Sequence, residues 1–142
     1  MPASGEFIEG VADDLVASGV GTARYSTSGV SVQVNYRRDT GAPTVLLLTQ
    51  TGGLTFPWDF KEQQGFQVLV DSTDVVSAQT VARQVYDQLN ERTAECFPAV
   101  SGHMVLWLRA TTLPQAIPVG PTGDQAEHFQ FSVNFDALII KE

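Results

Sequence analysis

Residues 128–140 read His-Phe-Gln-Phe-Ser-Val-Asn-Phe-Asp-Ala-Leu-Ile-Ile. Phe129, Phe131, Val133, Phe135, Ala137 and Ile139 share one parity, while His128, Gln130, Ser132, Asn134 and Asp136 share the other. Side chains alternate across an extended chain, so this stretch is expected to be a strand with one face buried and the other wet or against a partner. It is about twice the usual strand length, which predicts a terminal strand crossing a whole sheet. Its polar face carries small amides and a hydroxyl, with no set of nucleophile, base and orienting group. That favours a scaffold or assembly subunit over an enzyme.

The rest of the composition is consistent with such a part. With 142 residues, 43% of them hydrophobic, the chain can build one core and is expected to be one domain. Only 17% of residues are charged, as expected where some surface is covered in an assembly. Sixteen acidic against eight basic residues give a net charge of -8, which disfavours tight binding to nucleic-acid phosphates. The same sign suits a wall past which DNA slides without sticking. Cys96 is the single cysteine, so no intrachain disulfide and no thiolate metal cluster are expected, in keeping with a reducing compartment. The first residues lack a basic stretch followed by an apolar run, and no apolar run approaches a membrane span. A soluble, non-secreted protein is the expectation.

Along the chain, Ser4 is placed to cap a first helix with Ile8, Val11, Ala12 and Leu15 as its apolar stripe, ended by Gly19 and Gly21. Asp13 and Asp14 lie off that stripe and read as a solvated face. Residues 22–41 are rich in Ser, Thr and Gly and read as a protruding β-hairpin arm. Its better strand is 30–36, with Val30, Val32, Val34 and Tyr36 on one face, followed by a turn at Arg37-Arg38-Asp39-Thr40-Gly41. A strand at 44–49 is broken by Gly52 and Gly53, and a loop with Pro57, Trp58 and Phe60 follows. Phe66 to Val70 is the next strand. Asp71 to Asp74 supplies several helix caps in a row, and a second helix runs from about Val75 to Arg92. Val75, Ala78, Val81, Ala82, Val85 and Leu89 make its buried stripe, with Tyr86 at the flank. His103 to Arg109 is a strand, and 110–127 a loop. With only one strand–helix–strand passage, a doubly wound nucleotide-binding sheet is excluded in favour of an α+β fold. The expected architecture is a mostly antiparallel sheet of about four to six strands against two helices.

Candidate chemistry is sparse. Cys96, His103 and His128, with Asp124 or Glu127 as orienter, lack any nucleophile signature, and two histidines 25 positions apart lack metal-ligand spacing. Residues 53–55 and 120–123 lack the lysine offset of a phosphate loop. No cofactor, metal or catalytic residue is therefore expected. Arg37 and Arg38 read either as a solvated turn or as a salt bridge to an acidic neighbouring subunit. Trp58, Phe56 and Phe60 read either as a loop packed on its own core or as an aromatic anchor for a partner.

Four pieces of the chain resemble the tail terminator (tail completion, minor capsid) proteins of long-tailed bacteriophages, over roughly residues 5–140. They are the glycine-ended first helix, and the Pro43 strand followed by Thr51-Gly52-Gly53. The third is Phe66-Gln-Val-Leu-Val70 leading through Asp71 and Asp74 into residues 78–89. The last is Pro118-Val-Gly-Pro-Thr-Gly-Asp124 with Phe129-Gln-Phe-Ser-Val-Asn-Phe135. The resemblance implies a non-enzymatic virion protein, assembled in the host cytoplasm. It implies a homomeric ring, usually a hexamer, that caps the finished tail tube and joins it to the head connector, with DNA passing through the lumen. The expected partners are other copies of the chain, the tail tube protein and the connector proteins, with no membrane. A ring needs head-to-tail interfaces that close. Arg37, Arg38, Trp58, Gln130, Ser132 and Asn134 are the expected assembly contacts, and Asp39, Asp59 and Glu62 the expected acidic lining of the lumen. Rival readings are a head-completion connector or the tail tube subunit, and a small-molecule-binding or hydrolytic domain using Trp58 with His103 or His128.

Overall fold

The structure, a computed structural model, describes residues 4–56, 61–93, 103–117 and 128–141. In chain order these form α1 (Ser4–Ala17), β1 (Ala23–Arg24), β2 (Val30–Val34), β3 (Thr44–Phe56), β4 (Lys61–Ser72) and α2 (Val75–Leu89). They continue with β5 (Arg92–Thr93), β6 (His103–Ala110), β7 (Gln115–Ile117) and β8 (Phe129–Lys141). All strands join one sheet in the order β1-β2-β3-β4-β8-β6-β5, with β7 also paired to β8.

The alternating last strand forms as expected, but in the middle of the sheet. β8 pairs with β4 from Lys61↔Ile140 to Ser72↔Phe129, and on its other side with β6 and β7. It is therefore an interior strand whose backbone groups are spent on both sides. Its odd-numbered residues meet Val68, Val70 and Phe66 of β4 on one face, which continues through Leu46 and Leu48 to Val32 and Val34. Phe66 is fully buried, edge-on to Phe7 at 5.7 Å and stacked on Phe135 at 5.1 Å. Each such apolar side chain contributes about 1.5–3 kcal/mol by leaving water.

Both helices cover this face, α1 over β2 and β3, α2 over β4, β6 and β8. α1 buries Phe7, Ile8, Val11, Ala12 and Leu15, the i, i+3, i+4 stripe. α2 starts at Asp74, whose Oδ2 accepts hydrogen bonds from the backbone N–H and the hydroxyl of Ser77 at 2.9 and 2.8 Å. Those bonds hold the Asp74 carboxyl below its ordinary value. α2 buries Ala78, Val81, Ala82, Val85 and Leu89. Val75, the first residue of the helix, is 44% exposed rather than part of the stripe. The helix stops at Leu89, and Arg92 belongs to β5. Asp14 is also not solvated. It lies two turns after Phe7 on the side facing α2, and accepts from Arg92 at 3.1 Å and from Gln88 at 3.3 Å.

The sheet is larger than expected and mixed. Its first two pairings, β1·β2 and β2·β3, are parallel. Residues 22–41 therefore do not form a protruding hairpin arm. Ser31, Val32, Gln33 and Val34 are buried, and residues 35–43 fold back along the sheet as a short crossover. Parallel neighbours usually need a connection of about a dozen residues or more. Here positive φ at Asn35 and Gly41 tightens the path, so β2 and β3 run side by side without a helix between them. Tyr36 lies beyond β2 and is exposed.

The long hairpin of this molecule lies elsewhere. β3 runs through Gly52 and Gly53 to Phe56, pairing with β4 down to Phe56↔Lys61. The two glycines bend the strand and do not break it, as the register shifts between Gln50 and Gly52, where Gly52 takes φ +102°. A Cβ on Gly53 would stand 1.8 Å from the Gln63 carbonyl oxygen, so a side chain there has no room. Glu62, expected in a loop, is part of β4. The loop expected over 110–127 contains β7.

Candidate assembly surface

Among the described residues no helix packs on the second face of the sheet. Register places Val45, Leu47, Leu69, Asp71, Gln130, Ser132, Asn134, Asp136 and Leu138 there, together with Ser31 and Gln33 of β2. The crossover 35–43 covers its β2 side. Gln33 is fully buried and holds that crossover with its amide, donating to the Arg38 carbonyl at 2.8 Å and accepting from the Arg38 N–H at 2.8 Å.

Asp71 is the centre of a cluster in which the crossover, β4 and the start of β8 meet on one buried carboxylate. Its Oδ2 accepts from Arg37 Nη1 at 2.6 Å and Gln130 Nε2 at 3.0 Å, and its Oδ1 lies 2.9 Å from His128 Nδ1. The Asp71 side chain is 5% exposed, against 40% for Arg37 and 42% for His128. Burial pushes the carboxyl up, yet the hydrogen bonds from Gln130, Arg37 and His128, with the Arg37 charge, outweigh it and hold the group below its ordinary value. The cluster pins the crossover and the start of β8 to β4.

Two expected contact residues, Arg37 and Gln130, are thus brought together, but on an internal carboxylate. Ser132 is buried in register with Gln115 of β7, and the Asn134 carbonyl accepts from Thr111 N–H at 2.8 Å. Of the polar face of β8, Gln130 and Ser132 are therefore taken up within the chain. Sequence reading missed Asp71, which reads as one more cap before α2. The signal was its parity: Asp71 alternates with Val70 and so faces away from the helices.

Arg38 behaves differently from its neighbour. Its guanidinium carbon stands 5.3 Å from the Tyr25 ring centre and 5.8 Å from that of Tyr36, and the two rings lie 5.6 Å apart. All three side chains sit at the end of β2, and Tyr36 is 57% exposed. Asp39 accepts from the Gly41 N–H at 3.2 Å on the crossover. Glu62, opposite Ile139 on the helix side of the sheet, accepts from Gln64. Asp39 and Glu62 thus lie on opposite faces of the sheet. Trp58, Asp59, Cys96, Asp124 and Glu127 lie outside the described residues.

The sheet also presents unpaired strand. β2 pairs with β3 only as far as Leu48, so among the described residues β3 from Gln50 to Phe56 has a partner on one side alone. Across the sheet, β5 pairs with β6 only at Leu108 and Trp107, leaving 103–106 with β8 alone among the described residues. The two runs are level only at their tips, where Phe56 pairs with Lys61, Lys61 with Ile140 and Ile140 with Met104; below that, β5 borders β6 at Trp107 and Leu108, level with Leu54 and Gly53. They also run in opposite directions, because three antiparallel pairings separate them.

Among the described residues no group of three His, Cys, Asp or Glu is placed to hold a metal ion. No described helix is long and apolar enough to cross a membrane.

No family model and no curated sequence matches the chain. Its fold is similar to that of a chain in the solved virion of a native gene transfer agent (GTA) particle, with a TM-score of 0.61 over 92% of this chain and 92% of that one, at 17% identity. At that identity the likeness is one of fold.

Proposed function

We propose that this protein is a structural component of a phage-like virion. It forms a homomeric ring, six copies being the expected number, that caps the completed tail tube and joins it to the head connector. The observation that carries the reading is the fold match along 92% of both chains to a component of a gene transfer agent virion. The oppositely directed open tips of β3 and β6 support it. An exposed strand edge is a template for pairing with another chain. A β3 edge set against a neighbour's β6 edge makes an antiparallel, head-to-tail contact that repeats round a closed ring. DNA passes through the lumen, and the net charge of -8 keeps the wall from adhering to it. Of the expected acidic lining, Asp39 is on the helix-free face and suits a wall built from that face. The reading requires no enzymatic step.

Electron microscopy of lysates from a particle-producing strain with an early stop codon in this gene tests the position. Overlong tails without heads are expected. Normal-length tails beside unjoined heads move the protein to the connector, and loss of all tube makes it the tube subunit. Normal virions overturn the structural reading.

A further inference from the structure

We propose that the exposed start of α2, Val75 and Val76 with Pro43 beside them, is the seat on which this protein meets the end of the tail tube. The inference deepens the ring reading and rests on it. Val75 and Val76 are 44% and 64% exposed, and they are two of the four large hydrophobic side chains left exposed among the described residues. The other two, Tyr36 on the crossover and Leu113 between β6 and β7, stand apart from them and from each other. Pro43 is exposed as well, and its carbonyl accepts from the Thr73 N–H at 3.1 Å. That bond sets the start of β3 against the residues leading into α2, so the proline and the two valines form one patch.

Local chemistry argues against valine at these positions. The first turn of a helix favours acidic residues, because its free N–H groups and its dipole attract negative charge. Valine also loses side-chain freedom in a helix. The chain has sixteen acidic residues, yet the first turn of α2 holds none beyond its cap, and the Asp74 Oδ2 is already taken by Ser77. The next exposed positions, Gln79 and Thr80, are uncharged, so α2 carries no charge between its cap and Arg83. A position that departs from local preference, with no gain in its own packing, is where a function is expected.

The place of the patch in the fold decides what meets it. α2 follows β4, and β4 is the middle strand of the sheet, with β1, β2 and β3 on one side and β8, β6 and β5 on the other. The valines therefore stand at the centre of one end of the sheet, three strands from either edge. Contacts between copies side by side use the edges, and in a closed ring the strand ends lie on its two rims. A patch at the strand ends faces along the axis, toward the next ring and not toward a sister copy. The tube end is the partner a capping ring meets first and keeps, and permanent contacts are the more apolar ones.

Val76→Glu is the test, with the variant supplied to the strain that carries the early stop codon. Glutamate here suits the helix dipole, so the purified variant is expected to melt no lower than the wild type and to show the same oligomeric state in analytical ultracentrifugation. In electron micrographs of its lysates, overlong tails without heads are expected, as with the stop codon alone. Val76→Ile keeps the patch apolar and is expected to give normal particles, which separates the loss of apolar contact from any change at this position. Normal virions from Val76→Glu overturn the seat and leave the ring reading standing. Tails of normal length beside unjoined heads also overturn it, by moving the patch to the connector. A folded variant whose oligomeric state differs from the wild type shows that the patch lies between copies and overturns the axial assignment. Normal virions from the stop-codon strain itself overturn the ring reading along with it.

Discussion

The helix-covered face of the sheet carries Val32, Leu46, Leu48, Phe66, Val68, Val70, Val133 and Phe135, all almost completely buried, and is sealed by two amphipathic helices. The opposite face carries Ser31, Gln33, Asp71, Gln130 and Ser132 among its leucines, and is partly covered by a crossover with no regular structure. On the first face stability comes from area removed from water, and any apolar side chain of the right volume serves. On the second it comes from particular donors meeting particular acceptors, so a single deletion leaves a group without its partner. The first face specifies that the chain folds, and the second fixes where the crossover and the start of β8 lie.

The comparison can be pushed hardest at Phe66. Phe66→Ala removes a ring packed between Phe7 and Phe135 and is expected to cost about 3–5 kcal/mol in denaturant unfolding, enough to unfold a marginal domain. A loss below about 1 kcal/mol would mean that the core is not organised around this stack. On the other face, Asp71→Ala is expected to cost about 1–3 kcal/mol. That is less than a fully buried pair, because Arg37 and His128 are partly exposed and water takes over part of their bonding. Hydrogen exchange should show the loss concentrated in residues 35–43 and at the start of β8, with the helices still protected. Uniform loss of protection would contradict the separation of the two faces.

Acid titration sharpens the same point. The folded Asp71 carboxyl binds its proton less readily than the unfolded one, whose value is about 3.9, so the unfolded state takes up protons first. The stability contributed by Asp71 is complete above that value and is lost as pH falls through the lower folded one. Asp71→Asn should therefore flatten the acid limb of a stability–pH curve, leaving the part due to Asp74. An unchanged acid limb would show that the carboxylate is not held as described. The smallest effect is expected outside both faces. Arg83 and Asp87 form an exposed i, i+4 pair at 3.4 Å, and Arg83→Ala should cost at most about 0.5 kcal/mol, diminishing further in salt. A larger loss would point to the Tyr86 ring beneath Arg83 instead of to the ion pair.

Much of the fold was legible where periodicity is strong. The alternation of β8, the stripe of α1 and the Asp74 cap with the buried positions of α2 are local patterns, and local patterns survive folding. What failed in sequence reading failed for tertiary reasons. Gly52 and Gly53 look like a break, but paired with β4 they make a bulge within a longer strand. Residues 22–41 look like a hairpin, but β2 finds β3 in parallel and buries its serine and glutamine along with its valines. Asp14 looks solvated until Arg92, 78 residues away, arrives beside it.

The candidate contacts divide along the same line. Arg37 and Arg38 are indistinguishable in the sequence, adjacent in one turn. Folding sends Arg37 to the buried Asp71 and leaves Arg38 on two tyrosines at the sheet's end. The sequence by itself determined which strand faces are apolar, where the helices start and that the surface is acidic, because these depend on residue type and spacing. Strand partners, parallel or antiparallel sense and the fate of each polar side chain were decided only by the tertiary structure. They depend on which distant residues reach the same few cubic ångströms, and no local pattern encodes that.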